Sequence, residues 1–489
     1  MEKVRNELTA RALPSCQPSQ LLTTLASSIL LLRIAATNPV PGLEEQVHCL
    51  YSETISLAQR RGLFAAFSGQ QISIDLLHQG RNDDSAWKAW SRVESAKRVI
   101  VCLIMCDSFW ANILDAMPII RIDNLGFSIP CSTDLFEAPN VRKWTQIANT
   151  GTSPIITQVT GVNIDTNSLP ALDTELAIQG FLGGLWLRLA EARHRLLSPS
   201  RHHENSPSTQ KPLIPLPTYA LDPTASSIVP LLTSIPLVYH SLLQNSNPNI
   251  LAWWHSQCMC LLADLPLFEL AAGREGPDRA KFALESISIW AQTPAARRAC
   301  VHAAQTFAVM SGRRISDGTT SHSEIALFHG ALVLGLYLFT VHDEDAPINV
   351  HAAMRLDEEE LFELLDPVDW RTIGAEGMTV ETVNPNSNSN LNSNPDTNLP
   401  ATTNTTTLIQ SLTPLTGLES PAKRFIMRGG AVSFNGAMRR GGYNSSRRIL
   451  LDYANLMKSV AKWNVRGYCR ILRIMSDTLV EVDDVSGSD

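Results

Sequence analysis

The stretch EIALFHGALVLGLYLFT, residues 324–340, is apolar on nearly every side of a helix. Such a helix has no face to give to water, so it must sit inside a body built by the rest of the chain. It stops at HDEDAP, where a charge cluster and Pro347 cannot continue it. Most other segments repeat apolar residues at three and four, few alternate, and no Asn-Gly turn is read between β-branched runs. The expected fold is therefore all-α, a large multi-helix body with a disordered Asn/Thr/Pro-rich linker. With 489 residues, 44% of them hydrophobic, the chain can bury a core of that size.

Two breaks interrupt the helical pattern. SPSRHHENSPSTQKPLIPLPT, 198–218, carries five prolines among polar residues and reads as a loop. Residues 384–407 alternate Asn with Ser, Pro and Thr, with Asp396 as the only charge. A segment like that cannot bury enough apolar area to offset its ordering entropy. The expected organisation is a short tail (1–19), the first half of the body (20–197), the Pro-rich loop (198–218), the second half (219–370), a disordered linker (371–418) and a basic helical segment (419–480). Within the second half, Thr293 is placed to cap a helix with Pro294 at its first position and Gly312 at its end.

Charge and cysteine usage narrow the function classes. A net charge of -7 offers no global attraction to nucleic acid or to an anionic membrane. The most apolar N-terminal run, 21–37, is interrupted by Arg33 and by hydroxyl residues, and falls short of the roughly 20 residues a span needs. It reads as a buried helix, and no membrane partner is expected. The nine cysteines form no C-x-x-C pair, which suits a reducing compartment. HSQCMC, 255–260, is the one compact His/Cys group, but it lies in an apolar helical pattern that would turn Cys258 and Cys260 to different sides; no metal or other cofactor is expected. No nucleophile elbow, P-loop, dinucleotide fingerprint or H-E-x-x-H occurs, so no enzyme and no catalytic residue are expected.

On a helix Trp87, Trp90, Glu94, Arg98 and Cys102 share one face, with Glu94 four residues before Arg98 in the favoured order for an ion pair. An apolar run follows, with Asp107 at its end, then Pro118, then IPCSTDLFEAPNVRKW (129–144), which contains Pro130, Cys131, Leu135, Glu137, Ala138 and Trp144. In this order the residues resemble the middle homology region of fungal-specific transcription factors, with Phe136 where that family often has Trp. Upstream, YSETISLAQRRGLF (51–64) is similar to a helix of the same region. AWWHSQCMCLLADLPLFELAAGREGP (252–277), TPAARRACVHAAQTF and LFHGALVLGLYLF resemble its C-terminal half, as found with two-Cys two-His zinc-finger factors. The resemblance covers about 20–345, with a weaker echo in 420–475.

That resemblance implies a nuclear transcription regulator, with control of a specialised-metabolite gene cluster as the family precedent. It implies contacts with the transcription machinery or a coactivator. A DNA-reading finger needs four Cys or His ligands, and only Cys16 precedes His48 and Cys49. DNA is therefore expected to be touched only indirectly or weakly, through protein contacts or a DNA-binding partner. A finger encoded upstream, making this a truncated zinc-finger factor, and a non-transcriptional helical scaffold are the alternatives. The oligomeric state is not legible.

Two further segments are candidate contacts. LDEEELFELLDPVDW, 356–370, interleaves acids with apolar residues, and Leu361, Phe362, Leu365 and Trp370 are the candidate activation residues; an ordinary amphipathic helix is the plainer reading. Residues 423–473 hold twelve Lys or Arg and one acid. Arg428, Arg439, Arg440, Arg447 and Arg448, with Phe434 and Tyr443 between them, form a candidate nucleic-acid or nuclear-import patch; a solvated basic face covering the acidic side of the body is the plainer reading.

Overall fold

A computed structural model describes residues 2–11, 17–37, 42–65, 76, 83–150, 158–160, 169, 172, 174–197, 213–314, 316–341, 354–355, 421–460 and 465–486. The linker expected over 371–418, and Leu361, Phe362, Leu365 and Trp370, lie outside these described residues.

The body begins with α1 (Glu2–Arg11), α2 (Pro18–Thr37), α3 (Glu44–Arg60) and the long α4 (Asp84–Ile113). The first of these corrects the expected tail. Leu8 of α1 is buried, and Arg5 donates to Glu53 of α3 at 2.6 Å, so the tail is a helix docked on the body. In α2, Leu21, Leu25, Ser28 and Leu32 are buried at steps of four, three and four, while Leu30 and Ile34 face out. By length and composition, α2 and the later helix over 321–340 could each cross a membrane; the latter is enclosed by protein.

The chain continues through α5 (Thr133–Phe136), α6 (Val141–Thr150) and α7 (Glu175–Leu197), which lies against α4. Their close approach depends on Gly183. A Cβ there would lie 2.8 Å from Ile104 Cγ2, and Ile104 is a β-branched side chain with little freedom to yield. Then come α8 (Pro215–Leu221), α9 (Ile228–Val238), α10 (His240–Asn245), α11 (Pro248–Leu262), α12 (Leu265–Ala271), α13 (Pro277–Ala291), α14 (Pro294–Ser311) and α15 (Ser321–Thr340). The loop expected to reach Thr218 is helical from Pro215, because proline is tolerated in a first turn, where its missing N–H costs nothing.

Helices α14 and α15 form the centre. Thr293 Oγ1 accepts from Ala296 N at 3.1 Å and Pro294 opens α14, as the sequence indicates. Helix α15 is buried almost all round and starts with a capping box between Thr320 and Ser323. Between α11 and α14, His255 and His302 meet Nδ1 to Nδ1 at 2.9 Å in the core.

The C-terminal part comprises α16 (Pro421–Arg428), α17 (Gly442–Val460) and α18 (Arg466–Ser486). It is not a separate basic segment. Helix α17 packs on α15, Tyr453 donates to Ala303 O at 2.7 Å, and Arg297 Nε donates to Ile426 O at 2.7 Å. Gly441, at φ 112°, sits so close to the carbonyl of Val341 that no Cβ fits. The turn of chain that docks α17 beside the end of α15 therefore requires glycine.

Short strands are the exceptions to the helical fold. β1 (Gly126–Ser128) pairs antiparallel with β2 (Gln158–Thr160), and β3 (Met354–Arg355), β4 (Val432–Phe434) and β5 (Ala437–Arg439) form a second sheet. The Asn-Gly turn missed in the sequence joins β4 to β5. Asn435 and Gly436 have φ of 47° and 71°, the paired positive values of a two-residue hairpin turn.

Candidate functional site

The face read from residues 87 to 102 is a clasp between α4 and the segment 130–144. Glu94, 2% exposed, accepts from Lys97 Nζ at 2.6 Å and from Arg98 Nη1 at 3.2 Å. Its Oε2 also accepts the backbone N–H of Cys131 at 2.9 Å. Arg98 Nη2 in turn donates to the carbonyl of Cys131 at 2.9 Å, and its guanidinium lies 3.8 Å from the centre of the Phe136 ring. The aromatic at 136 thus serves as a cation–π platform. Lys97 is the member that sequence reading missed. It sits three residues after Glu94, which is itself a helix-neighbour spacing, but its burial depends on what covers that side.

Beside the ion pairs is a small apolar cluster of its own, containing Trp90, Leu135, Ala138 and Trp144, with Trp87, Cys131 and Phe136 at its edge. The rings of Trp90 and Trp144 are 5.4 Å apart and tilted by 52°, a favourable aromatic geometry. Pro130 is buried where the chain enters the clasp, and Glu137 is exposed at the end of α5. Burial first, and then the charge of Glu94, push the Cys131 thiol up to about 12. It is an inert packing group at neutral pH.

Asp107 forms a second clasp one helical stretch further along α4. It is fully buried, and three donors converge on it: Tyr51 Oη at 2.6 Å, Ile119 N at 3.2 Å and Ile120 N at 2.8 Å. Burial raises its pKa against the pull of these hydrogen bonds. Pro118, also buried, sets the turn that presents the two amides. One carboxylate therefore joins α3, α4 and the chain after α4. Tyr51 belongs to the upstream stretch singled out in the sequence, yet its partner lies 56 residues away and no local spacing announces it.

The arginine patch is less unified than its sequence suggests. Arg428 ends α16, Arg439 lies on β5, Arg440 follows it, and Arg447 and Arg448 are on α17. Arg428 and Arg448 are exposed, while Arg439 is 3.7 Å from Asp452. Of the two aromatic residues between them, Phe434 is not placed as a stacking platform. Phe434 is fully buried between Phe307 and Tyr453, and Tyr443 packs edge-on against Phe339. The apolar demand of the core claims the Phe434 ring and withdraws it from stacking on a base, whereas Tyr443 stays half-buried.

Among the described residues, no three His, Cys, Asp or Glu side chains are arranged to hold a metal ion. His255 of the compact His/Cys group is in the core against His302, and burial holds its ring down to about 3. The side chains brought together in the two clasps are structural ties.

The fold and these ties define an all-helical body in which one long helix organises the N-terminal third of the chain. Residues 5–176 match the family model described as the fungal specific transcription factor domain. Both clasps fall inside the matched residues. The match ends as α7 begins, so the stretches of 252–345 that resemble the same region lie beyond it. No curated protein and no solved structure matches the chain.

Proposed function

We propose that the chain is a nuclear, non-catalytic transcription regulator that works through protein contacts or a DNA-binding partner, and that it controls genes of a specialised-metabolite cluster. The observation that carries this reading is the family match over residues 5–176. It is supported by the clasp geometry, because Trp90, Glu94, Arg98, Asp107 and Trp144 occur in the order the family motif requires and each is used in packing. The target class follows from family resemblance. Leu361, Phe362, Leu365 and Trp370 are the proposed coactivator contact, since acids interleaved with large apolar residues suit a hydrophobic groove rimmed by cations.

Chromatin immunoprecipitation with sequencing, on a tagged chain expressed from its native locus, tests this reading. Focused peaks at promoters of clustered biosynthetic genes are expected. A well-expressed protein without promoter enrichment under inducing conditions would overturn it in favour of a scaffold acting away from DNA.

A further inference from the structure

Helix α18 turns a cationic face to solvent. Arg466, Arg470, Arg473 and Ile474 are exposed on one side of it, while Cys469, Leu472 and Ser476 point inward. Burial raises the pKa of the Cys469 thiol, and the charges of Arg473 and of Lys458 on α17 both oppose the rise, so these two cations are neighbours across the hairpin. Among the described residues, no ion pair and no side-chain hydrogen bond engages Arg466, Arg470 or Arg473. Asp477, one turn beyond Arg473, accepts from Ser476 Oγ at 3.4 Å instead. Ile474 is 51% exposed in the midst of these charges.

Three unpaired guanidinium groups beside an exposed isoleucine suit a segment that interleaves acids with large apolar side chains. A phosphate backbone would use the arginines and gain nothing from Ile474. Residues 356–370 are such a segment, with seven acids and no base. Glu359, Glu363 and Asp366 are spaced four and three apart, as are Arg466, Arg470 and Arg473. The chain also delivers this run to the neighbourhood of α18. Val341 lies against Gly441 just before α17, and Arg355 of β3 pairs with Ser433 of β4, so Leu356 starts out from the same end of the body. Helix α18 folds back along α17, with Cys469 Sγ donating to Ala454 O. That level is about 18 Å from the start of α17 at 1.5 Å per residue, and six extended residues cover about 20 Å.

We propose that the exposed face of α18 is the docking surface for the chain's own residues 356–370, their carboxylates against Arg466, Arg470 and Arg473 and an apolar side chain against Ile474. Exposed ion pairs are individually weak, but covalent tethering supplies an effective concentration on the order of millimolar, so a modest affinity suffices. Docking would withhold Leu361, Phe362, Leu365 and Trp370 from a coactivator; that consequence rests on the contact assigned to them above, whereas the docking itself does not.

Fluorescence anisotropy of a fluorescein-labelled peptide of residues 356–370, titrated with the full chain, tests the surface. The wild-type chain should bind the peptide weakly, because its own segment competes. A full-chain variant with Glu359→Gln, Glu363→Gln and Asp366→Asn should bind it about tenfold tighter or more, and adding Arg466→Gln, Arg470→Gln and Arg473→Gln should abolish that gain. The three arginines are exposed, so their substitution leaves the packing of α18 in place. Equal affinity of the wild-type and acid-neutralised chains overturns the proposal, since the face is then open to some other occupant. Binding that survives loss of the arginines overturns it as well, and so does a failure of the acid-neutralised chain to bind. No coactivator or promoter enters the measurement, so its failure leaves the proposed function standing.

Discussion

The peptide unit of Cys131 is gripped on both sides by one ion pair: its N–H donates to Glu94 Oε2 and its carbonyl accepts from Arg98 Nη2, each at 2.9 Å. A pair four residues apart on α4 thus fixes the position of a chain segment more than thirty residues away. The buried charge is tolerated because each group has several partners, with Lys97 completing the set.

Replacing Glu94 by Ala leaves Lys97 buried without its carboxylate, and this should cost about 3–5 kcal/mol. Arg98→Ala should cost about 2 kcal/mol, and the double variant should lose less than the sum by about 1–2 kcal/mol. In a Lys97→Met background the Glu94→Ala loss should shrink. Urea melts of the full set check this, and strict additivity would remove the shared network.

Asp107→Asn keeps shape but turns one acceptor into a donor facing backbone N–H groups. A loss of about 2–3 kcal/mol is expected, whereas Tyr51→Phe, which removes one hydrogen bond, should cost about 1 kcal/mol. Equal losses in denaturant unfolding would contradict convergence of three donors on this carboxylate.

Gly441→Ala should destabilise by roughly 3 kcal/mol or more, because it combines a disfavoured backbone angle with a clash against the Val341 carbonyl. Ala at Gly467, where a Cβ meets nothing, should cost far less. Thermal melts that rank the two alike would show that α17 docks differently.

Asp222 closes the chain after α7 by a two-pronged pair with Arg195, at 2.6 and 2.7 Å. The Arg195 guanidinium holds its pKa down to about 2, opposed by burial and helped by the amides of Ala225 and Thr224. A depressed carboxylate pKa means stability that is present above pH ~4 and lost as pH falls toward ~2. Arg195 is 39% exposed and screened, so Asp222→Asn should cost only about 1 kcal/mol at pH 7. That difference should shrink at pH 3, and a difference that grows there would reverse the sign.

The local pattern carried a good deal of the N-terminal site. Trp90, Glu94 and Arg98 could be placed on one face because helical spacing alone makes them neighbours. The Thr293–Pro294 helix start and the burial of α15 were legible for the same reason: caps and periodicity are short-range properties. Lys97 was hidden because its spacing equally suits an exposed lysine. The hairpin at Asn435–Gly436 was overlooked because its strands, three residues each, are too short for alternation to show.

By itself, the sequence determined the all-α class, the start of α14 and the faces of helices such as α4 and α15, since all of these depend on neighbours within a few turns. Tertiary structure alone decided that Tyr51 reaches Asp107, that Phe434 fills the core and that α17 lies on α15. The basic count of 423–473 reads as one segment along the chain, but burial divides it, drawing its apolar residues inward and leaving Arg428 and Arg448 outside. Contacts between residues far apart in sequence depend on which surfaces close-pack, and that is settled only when the whole body assembles.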